Sequence, residues 1–353
     1  MIRDMAYSSM TKGTTMRLMV ALLVAFLGSM PAMAANEELP EFGEWLKGVR
    51  AEGIERGIRA ETLDRALAGV EPVRRIVERD RSQAEFKLTY QIYADRLITD
   101  TNIRVGRAKI REHRELLARI QAKYGVQPRY IVAIWGMETR YGAVKPTMPV
   151  IPAVATLAYD KRRSSFFRNE LFKALEMIDR GYIDQESMMG SWAGAMGQPQ
   201  FMPSSYMAYA QDFDGDGHRD IWSDEADVFA SIANYLAQHG WSDDQTWGRE
   251  VRLPDDPGFR AKLPQRTDRS GCRAIDAMTD TLRLSEWQAL GVRRADGSDL
   301  PTRDLPASLV EPEGADGPAF LVYRNYHSIL RYNCAHLYGL TVAALSDQLW
   351  PAE

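Results

Sequence analysis

The stretch QPRYIVAIWGMETRYG, residues 127–142, decides how this chain is read. Pro128 suits the first position of a helix, where its missing N–H is not needed. Gly142 suits the residue just past a helix end. Between them Ile131, Ile134, Trp135 and Glu138 fall at i, i+3, i+4 and i+7, which is one face of a helix. Glu138 therefore lies on the apolar stripe, while Arg129 and Arg140 point elsewhere. A carboxylate facing a core is costly to ionise, and the usual response is a raised pKa. An acid that keeps its proton near neutral pH can act as a general acid. The plainer reading is a buried Glu paired with a buried Arg.

Downstream lies a second unusual stretch, GSWAGAMGQPQFMPSSY, residues 190–206. Small residues crowd around Ser191, Gln198 and Gln200, which lets backbone approach a ligand. The hydroxyl and amides could bond sugar hydroxyls and N-acetyl groups, although small residues equally favour a tight helix crossing. Next, Asp212, Asp214, Asp216 and Gly217 open a calcium-type loop, with the His218 carbonyl at position 7 and Asp220 at position 9. Position 12, normally Glu, is Ser223, and Asp224 or Asp227 could substitute for it from the following helix. An Asx-rich turn without metal is the alternative.

The flanks read mainly as helix. Residues 1–34 form a secretory signal. Lys12 and Arg17 supply charge, the apolar run 18–30 falls short of the ~20 residues needed to span a bilayer, and Ala32-Met33-Ala34 is a cleavage site. No Cys follows the run, so no lipid anchor is expected, and the protein is expected to be soluble and periplasmic. Residues 35–125 form an N-terminal helical region. Gly57 is a weak break in its second helical stretch, 86–98 is helical, and one long charged helix at 101–124 is ended by Gly125. Helices follow at 153–158, at 166–180 with Ser165 as N-cap, and at 227–238. From 251 to 318 prolines and glycines rise, and the apolar runs 251–253 and 305–310 suggest strands, with a short helix from Leu284. This is a small mixed α/β elaboration near the C-terminal part. Residues 319–353 return to the core as a strand and a helix, with Tyr338, Val342 and Leu345 on one side. The fold class is mainly α.

Composition adds limits. The 353 residues are 45% hydrophobic and 26% charged, ordinary for one large domain or two. A formal net charge of −4 gives no general attraction to nucleic acid or anionic membrane. Neither a Gly-rich phosphate loop nor strand–helix alternation appears. The 8 Trp and 15 Tyr fit stacking on sugar rings, and equally an ordinary core. Cys272 and Cys334 permit one disulfide in an exported protein, but their spacing does not show that they meet.

Five motifs, in this order, resemble those of the B family of lytic murein transglycosylases, relatives of goose-type lysozyme. They are GMETRYG around Glu138, SWAGAMGQPQFMPSS from Ser191, the Asp212 loop, ANYL with HGW from Ala233, and RYN from Arg331. The resemblance covers roughly residues 40–350 and implies a lysozyme-like catalytic core at 126–250. It implies that Glu138 is the single catalytic acid and base. It implies that Ser191, Gln200, Tyr235, Tyr332, Asn333 and Tyr338 meet sugar, joined by an upstream groove residue, Tyr93. Arg162 and Arg163 would meet the peptide side, where a solvated helix start is the alternative reading. Asp212, Asp214, Asp216, His218 and Asp227 would hold a structural calcium ion, with no cofactor required for the chemistry. The implied substrate is the peptidoglycan glycan strand, cut without water to leave a 1,6-anhydro end. Other implied partners are cell-wall synthesis or secretion machinery, with no nucleic acid. A monomer is expected, with no separate wall-binding domain after Glu353. The competing readings are a muramidase hydrolysing the same bond, a non-catalytic wall-binding protein, and a calcium-responsive exported protein.

Overall fold

In the computed structural model the described residues are 40–81, 88–160 and 162–350, so the signal and cleavage readings at 1–34 fall outside them. The first four helices are α1 (Phe42–Glu55), α2 (Ala60–Leu67), α3 (Arg74–Arg81) and α4 (Tyr90–Leu97). Gly57 is a complete break: its φ of 86° ends α1, and α2 restarts at Ala60. The single long helix expected at 101–124 is two, α5 (Asp100–Glu112) and α6 (Arg114–Tyr124). The chain leaves helical geometry at His113, whose ring turns inward edge-on to Phe229, 5.1 Å between centroids, and to Trp135.

The central helix is α7 (Pro128–Thr139), with Pro128 in its first turn as expected. It is not amphipathic in its middle. Every residue from Tyr130 to Gly136 is buried, because α5, α6, α11 (Glu225–Gln238) and α15 (His336–Gln348) surround it in one apolar cluster, which α4 joins by packing on α15. Arg129, at its start, reaches the surface and meets Asp347 at 3.2 Å.

A second cluster gathers α8 (Val150–Tyr159), α9 (Ser164–Asp179) and α10 (Pro203–Tyr209) against α1–α3. The helix 166–180 starts two residues early at Ser164, after Arg163, so Ser165 is not its cap. Two short strands, β1 (Met148–Pro149) and β2 (Met189–Gly190), pair antiparallel across the entrance to α8.

The elaboration is an antiparallel sheet of five strands: β3 (Gly248–Arg252), β4 (Leu282–Arg283), β5 (Arg293–Arg294), β6 (Pro306–Val310) and β7 (Ala319–Val322), in the order β4-β6-β7-β3-β5. Its centre is β7, with Leu309 opposite Leu321 on one side and Val251 opposite Ala319 on the other. The last chain segment therefore begins inside the sheet before returning to the helices. Two helices, α12 (Arg273–Asp276) and α13 (Leu284–Ala289), lie beside it, and the indole of Trp287 is fully buried in its core. From β7 the chain enters α14 (Arg324–Tyr332), a helix not expected from the sequence although Tyr326, Ile329 and Leu330 carry its buried spacing. Among the described residues no helix is long and apolar enough to cross a membrane.

Cys272 and Cys334 are bonded, with Cα atoms 5.6 Å apart, which settles the pairing that their spacing left open. The bond ties the loop before α12 to the turn between α14 and α15. Closing a loop across 62 residues constrains the unfolded chain, by about 4 kcal/mol in the chain-entropy account. The double variant C272S/C334S should lose on the order of 2–4 kcal/mol in urea unfolding. An unchanged urea midpoint would show that the bond does not stabilise the fold.

Candidate active site

Glu138 is the penultimate residue of α7, and the way that helix ends sets where its carboxylate goes. Arg140 and Tyr141 both take left-handed backbone, φ 50° and 59°, and Gly142 follows at 76°. Such angles are unfavourable for a bulky residue. Tyr141 holds them because its ring folds back onto α7. A Cβ on Gly136 would stand 2.6 Å from that ring, and one on Gly106 would stand 2.7 Å from its hydroxyl. The hydroxyl donates to the Asn102 carbonyl at 2.8 Å.

The second motif is bound to the first through Gln198. Its side-chain oxygen accepts from the Trp135 indole at 2.7 Å, and its amide donates to the Trp222 carbonyl at 3.0 Å. Thr139 donates to its backbone carbonyl at 3.0 Å. Gln198 thus joins the Glu138 helix, the 190–206 stretch and the acidic loop in one strut. It carries no role in the family-based site reading, and its place between Ser191 and Gln200 was the only sequence signal. Ser191 closes its own turn, its Oγ accepting from the N–H groups of Ala193 and Ala195 at 3.3 and 3.2 Å. Gln200 is held in left-handed backbone, φ 53°, and donates to the Gly197 carbonyl at 2.9 Å. Both are partly exposed.

A tyrosine wall brings the third group to Glu138. The Tyr338 hydroxyl, from α15, donates to Glu138 Oε1 at 2.7 Å. Tyr332 lies parallel to Tyr338, 6.5 Å between centroids, and donates to the Pro199 carbonyl at 2.6 Å. It packs against both large apolar clusters, at their seam. Burial pushes both phenols well above their ordinary value, and the nearby Glu138 charge adds to this, so both stay protonated donors. Tyr93, on α4, is close enough to Tyr338 to contribute to the same effect. Tyr235 is buried behind the wall, stacked on His239 at 4.2 Å and edge-on to Tyr332 at 4.8 Å. Its hydroxyl is spent on the Arg331 carbonyl at 2.6 Å. It supports the wall and does not face outward. Asn333 is exposed at the end of α14.

Arg162 and Arg163 lie apart from this group, at the start of α9, and both grip Asp80 of α3, at 2.8 and 3.1 Å. Asp160 adds a second partner to Arg162. Asp80 was not singled out in the sequence, because no local spacing links it to residues about eighty positions away. The two guanidiniums remain about half exposed.

In the acidic loop, Asp212, Asp214 and Asp227 bring one carboxylate oxygen each within 4.8 Å of one another. Asp224 caps α11 through its bonds to the N–H groups of Ala226 and Asp227, so Asp227 is the residue that joins the loop from the next helix. Ser223 turns away to bond Asp220. Asp216 is outside the trio, exposed, and accepts from the His218 N–H at 2.7 Å. Three carboxylates with no cationic partner among the described residues fit a hard cation that prefers oxygen ligands. Asp227 is the buried member. Burial first, and then Asp224 and Asp214, push its carboxyl up to about 6, against the backbone N–H groups of Phe213 and Asp220 that lower it.

Residues 41–347 match the family described as the Transglycosylase SLT domain. Membrane-bound lytic murein transglycosylase B of Escherichia coli K12 is 43% identical over 176 residues, 48% of this chain and 48% of that protein. The match thus spans about half the length of this curated relative. Pseudomonas aeruginosa SltB3, solved with a NAG-NAM-pentapeptide, is 41% identical over 88% of this chain and 80% of that one, with a TM-score of 0.80. It has also been solved with a NAG-anhNAM-pentapeptide, with a TM-score of 0.79. Escherichia coli lytic transglycosylase SLT35, solved with calcium, is 28% identical over 86% of this chain and 92% of that one, with a TM-score of 0.71.

The raised Asp227 carboxyl has a signed consequence. Its contribution to stability is full below the unfolded value of 3.8 and is lost as pH rises through about 6. In chelator, the stability of the protein measured relative to D227N should fall between about pH 4 and 7. Parallel pH profiles for the two proteins would contradict the assignment.

Proposed function

Because this chain belongs to the Transglycosylase SLT domain family, we propose that it is a lytic transglycosylase that cuts the MurNAc-β-1,4-GlcNAc bond of peptidoglycan without water. The observation that carries this reading is the hydrogen bond from Tyr338 to Glu138, which fixes a helix-end carboxylate in a wall of neutral tyrosines. The ligands named with SltB3, one of them an anhydro-muramyl peptide, support the same substrate and product class here.

Ordinary glycosidases use two carboxylates. Here Glu138 does both jobs in turn. As the acid it protonates the glycosidic oxygen, and the C1–O bond breaks. The substrate's own 2-acetamido carbonyl stabilises the cation developing at C1. Glu138, now ionised, takes the proton of the C6 hydroxyl, and that oxygen closes on C1 to form the 1,6-anhydro ring. The proton is returned to the carboxyl and no water is consumed. The Tyr338 hydroxyl, kept protonated by burial, holds one oxygen of that carboxylate in place through both steps. Ser191, Gln200, Tyr332, Asn333 and Tyr93 line the sugar path in this reading, with Tyr235 bracing Tyr332. Arg162 and Arg163 face the stem peptide from their Asp80 anchor. The signal reading of residues 1–34 makes the protein periplasmic.

We further infer that Asp212, Asp214 and Asp227 hold calcium, which fits their oxygen donors and is supported by the calcium named with SLT35. The ion would brace the loop that Gln198 ties to the Glu138 helix and would take no part in bond cleavage. Millimolar calcium should raise Tm at pH 7.5 and do so only weakly below pH 5, where Asp227 is protonated. A D227N protein that still gains Tm would remove Asp227 from the site.

Digestion of purified peptidoglycan tests the chemistry. Soluble products should be lighter by one water than hydrolytic muropeptides. E138Q should fold normally and lose at least about 100-fold in rate, the scale of general acid–base catalysis. Y338F should lose less, about tenfold, as for one charge-assisted hydrogen bond. Products with a reducing muramic acid end would show a hydrolase. An active E138Q would remove Glu138 from the chemistry.

A further inference from the structure

Behind the tyrosine wall, where the sheet meets α14, lies a cavity of about 450 Å³. This is the size of a small-ligand site. It is bounded by β6 and β7, by α14, and by the loop that the Cys272–Cys334 bond holds in place. Arg266, Arg324, Arg331, His239 and His327 all line it, and none of its lining residues is acidic. The chain as a whole is slightly acidic, with a formal net charge of −4, so this gathering of three arginines is local.

Protein groups offset these charges only in part. Arg331 donates to the Ser270 carbonyl at 3.3 Å, and no ion-pair partner is found for Arg266, Arg324 or Arg331 within 4 Å among the described residues. Asp276 is the nearby acid: Ser270 bonds it through its N–H and hydroxyl at 2.7 and 2.9 Å, and Arg269 and Arg266 act on it from a distance without forming an ion pair. Two polar atoms at the cavity, Arg266 Nε and the hydroxyl of Ser308, are buried without a hydrogen-bond partner among the described residues. Ser308 is 1% exposed, and its side chain lines the cavity from β6. Buried donors left unpaired cost free energy, and such a donor in a native fold calls for an explanation. Burial, with the charges of Arg266 and Arg331 behind it, lowers His327 to about 4, so its imidazole is neutral near pH 7 and adds a further polar group without a further charge.

We propose that this cavity binds a small oxyanion, a phosphate or a carboxylate, with Arg266 and Arg324 as its cationic side and the Ser308 hydroxyl as its deep donor. A planar or tetrahedral oxyanion satisfies guanidinium donors in a way that water does not. The cavity abuts the back of the tyrosine wall. Arg331 immediately precedes Tyr332, its carbonyl accepts from Tyr235, and His239 stacks on the same tyrosine. Two sources could supply this chemistry, free phosphate and the terminal carboxylate of a stem peptide. Only the second rests on the function proposed above.

Calorimetric titration of the purified protein at constant ionic strength tests this, with inorganic phosphate in one arm. N-acetyl-D-alanyl-D-alanine and its C-terminal amide fill the other arm. Saturable binding of phosphate alone assigns a free oxyanion. Binding of the dipeptide but not of its amide assigns a peptide carboxylate. In either case R266Q and R324Q should each weaken binding by about tenfold, the loss of one charge-assisted contact, and S308A should weaken it less. Both arginine variants should keep the wild-type Tm. Absence of saturable binding by any probe, or affinities that R266Q and R324Q leave unchanged, would overturn the proposal. Peptidoglycan digestion by the wild-type protein is measured separately. Oxyanion binding without digestion would sink the transglycosylase reading and leave this site standing, and digestion without binding would do the reverse.

Discussion

The Tyr141 ring, wedged against the bare backbone of Gly136 and Gly106, is the contact on which the site depends. Two consecutive non-glycine residues in left-handed backbone cost on the order of 1–3 kcal/mol each. Burial of one large aromatic returns about 1.5–3 kcal/mol, with about 1 more from its bond to Asn102. The two sides roughly balance, so the turn holds only while the ring fits. That turn stops α7 one residue after Glu138 and so brings the carboxylate out at the end of an otherwise buried helix. Any side chain at position 136 or 106 would displace the ring and move Glu138 with it.

Around this fixed point the structure brings together parts from far along the chain. Gln198 contacts the Trp135 indole and the Trp222 carbonyl at once, so the 190–206 stretch and the acidic loop are both fastened to α7. The tyrosine wall arrives from the other direction. Tyr332 and Tyr338 flank the turn between α14 and α15, and the Cys272–Cys334 bond pins that turn to the elaboration. The sheet is thus a support for the wall as well as an addition to the fold. The cation-lined cavity occupies the joint between the two.

Much of this was legible in residues 127–142. A helix with proline at its start, glycine past its end and a lone carboxylate on an apolar stripe is a local pattern, and local patterns survive folding. The same holds for the strands at 306–310 and 319–322, for the helix beginning at Leu284, and for the opening of the acidic loop. Misreadings arose where tertiary packing overrode periodicity. Nothing in 101–124 marks His113 as a break, because the aromatic ring that draws it inward is Phe229, more than a hundred residues away. The amphipathic face assigned to α7 was too narrow because four helices pack around it. Nor could spacing show that Asp80 is the partner of Arg162 and Arg163.

By itself the sequence determined the chemistry available: one prominent carboxylate, a small-residue stretch with hydroxyl and amide groups, an acidic loop lacking its twelfth ligand, and two cysteines. Only the tertiary structure decided how these are used. It chose Asp227 over Asp224, because the latter is spent capping α11. It closed the disulfide, turned Tyr235 into a brace and set the Tyr338 hydroxyl on Glu138. The physical reason is common to all four. A residue's type and near neighbours are written along the chain, but which donor meets which acceptor across 200 positions is settled only when apolar surfaces have packed and excluded the alternatives.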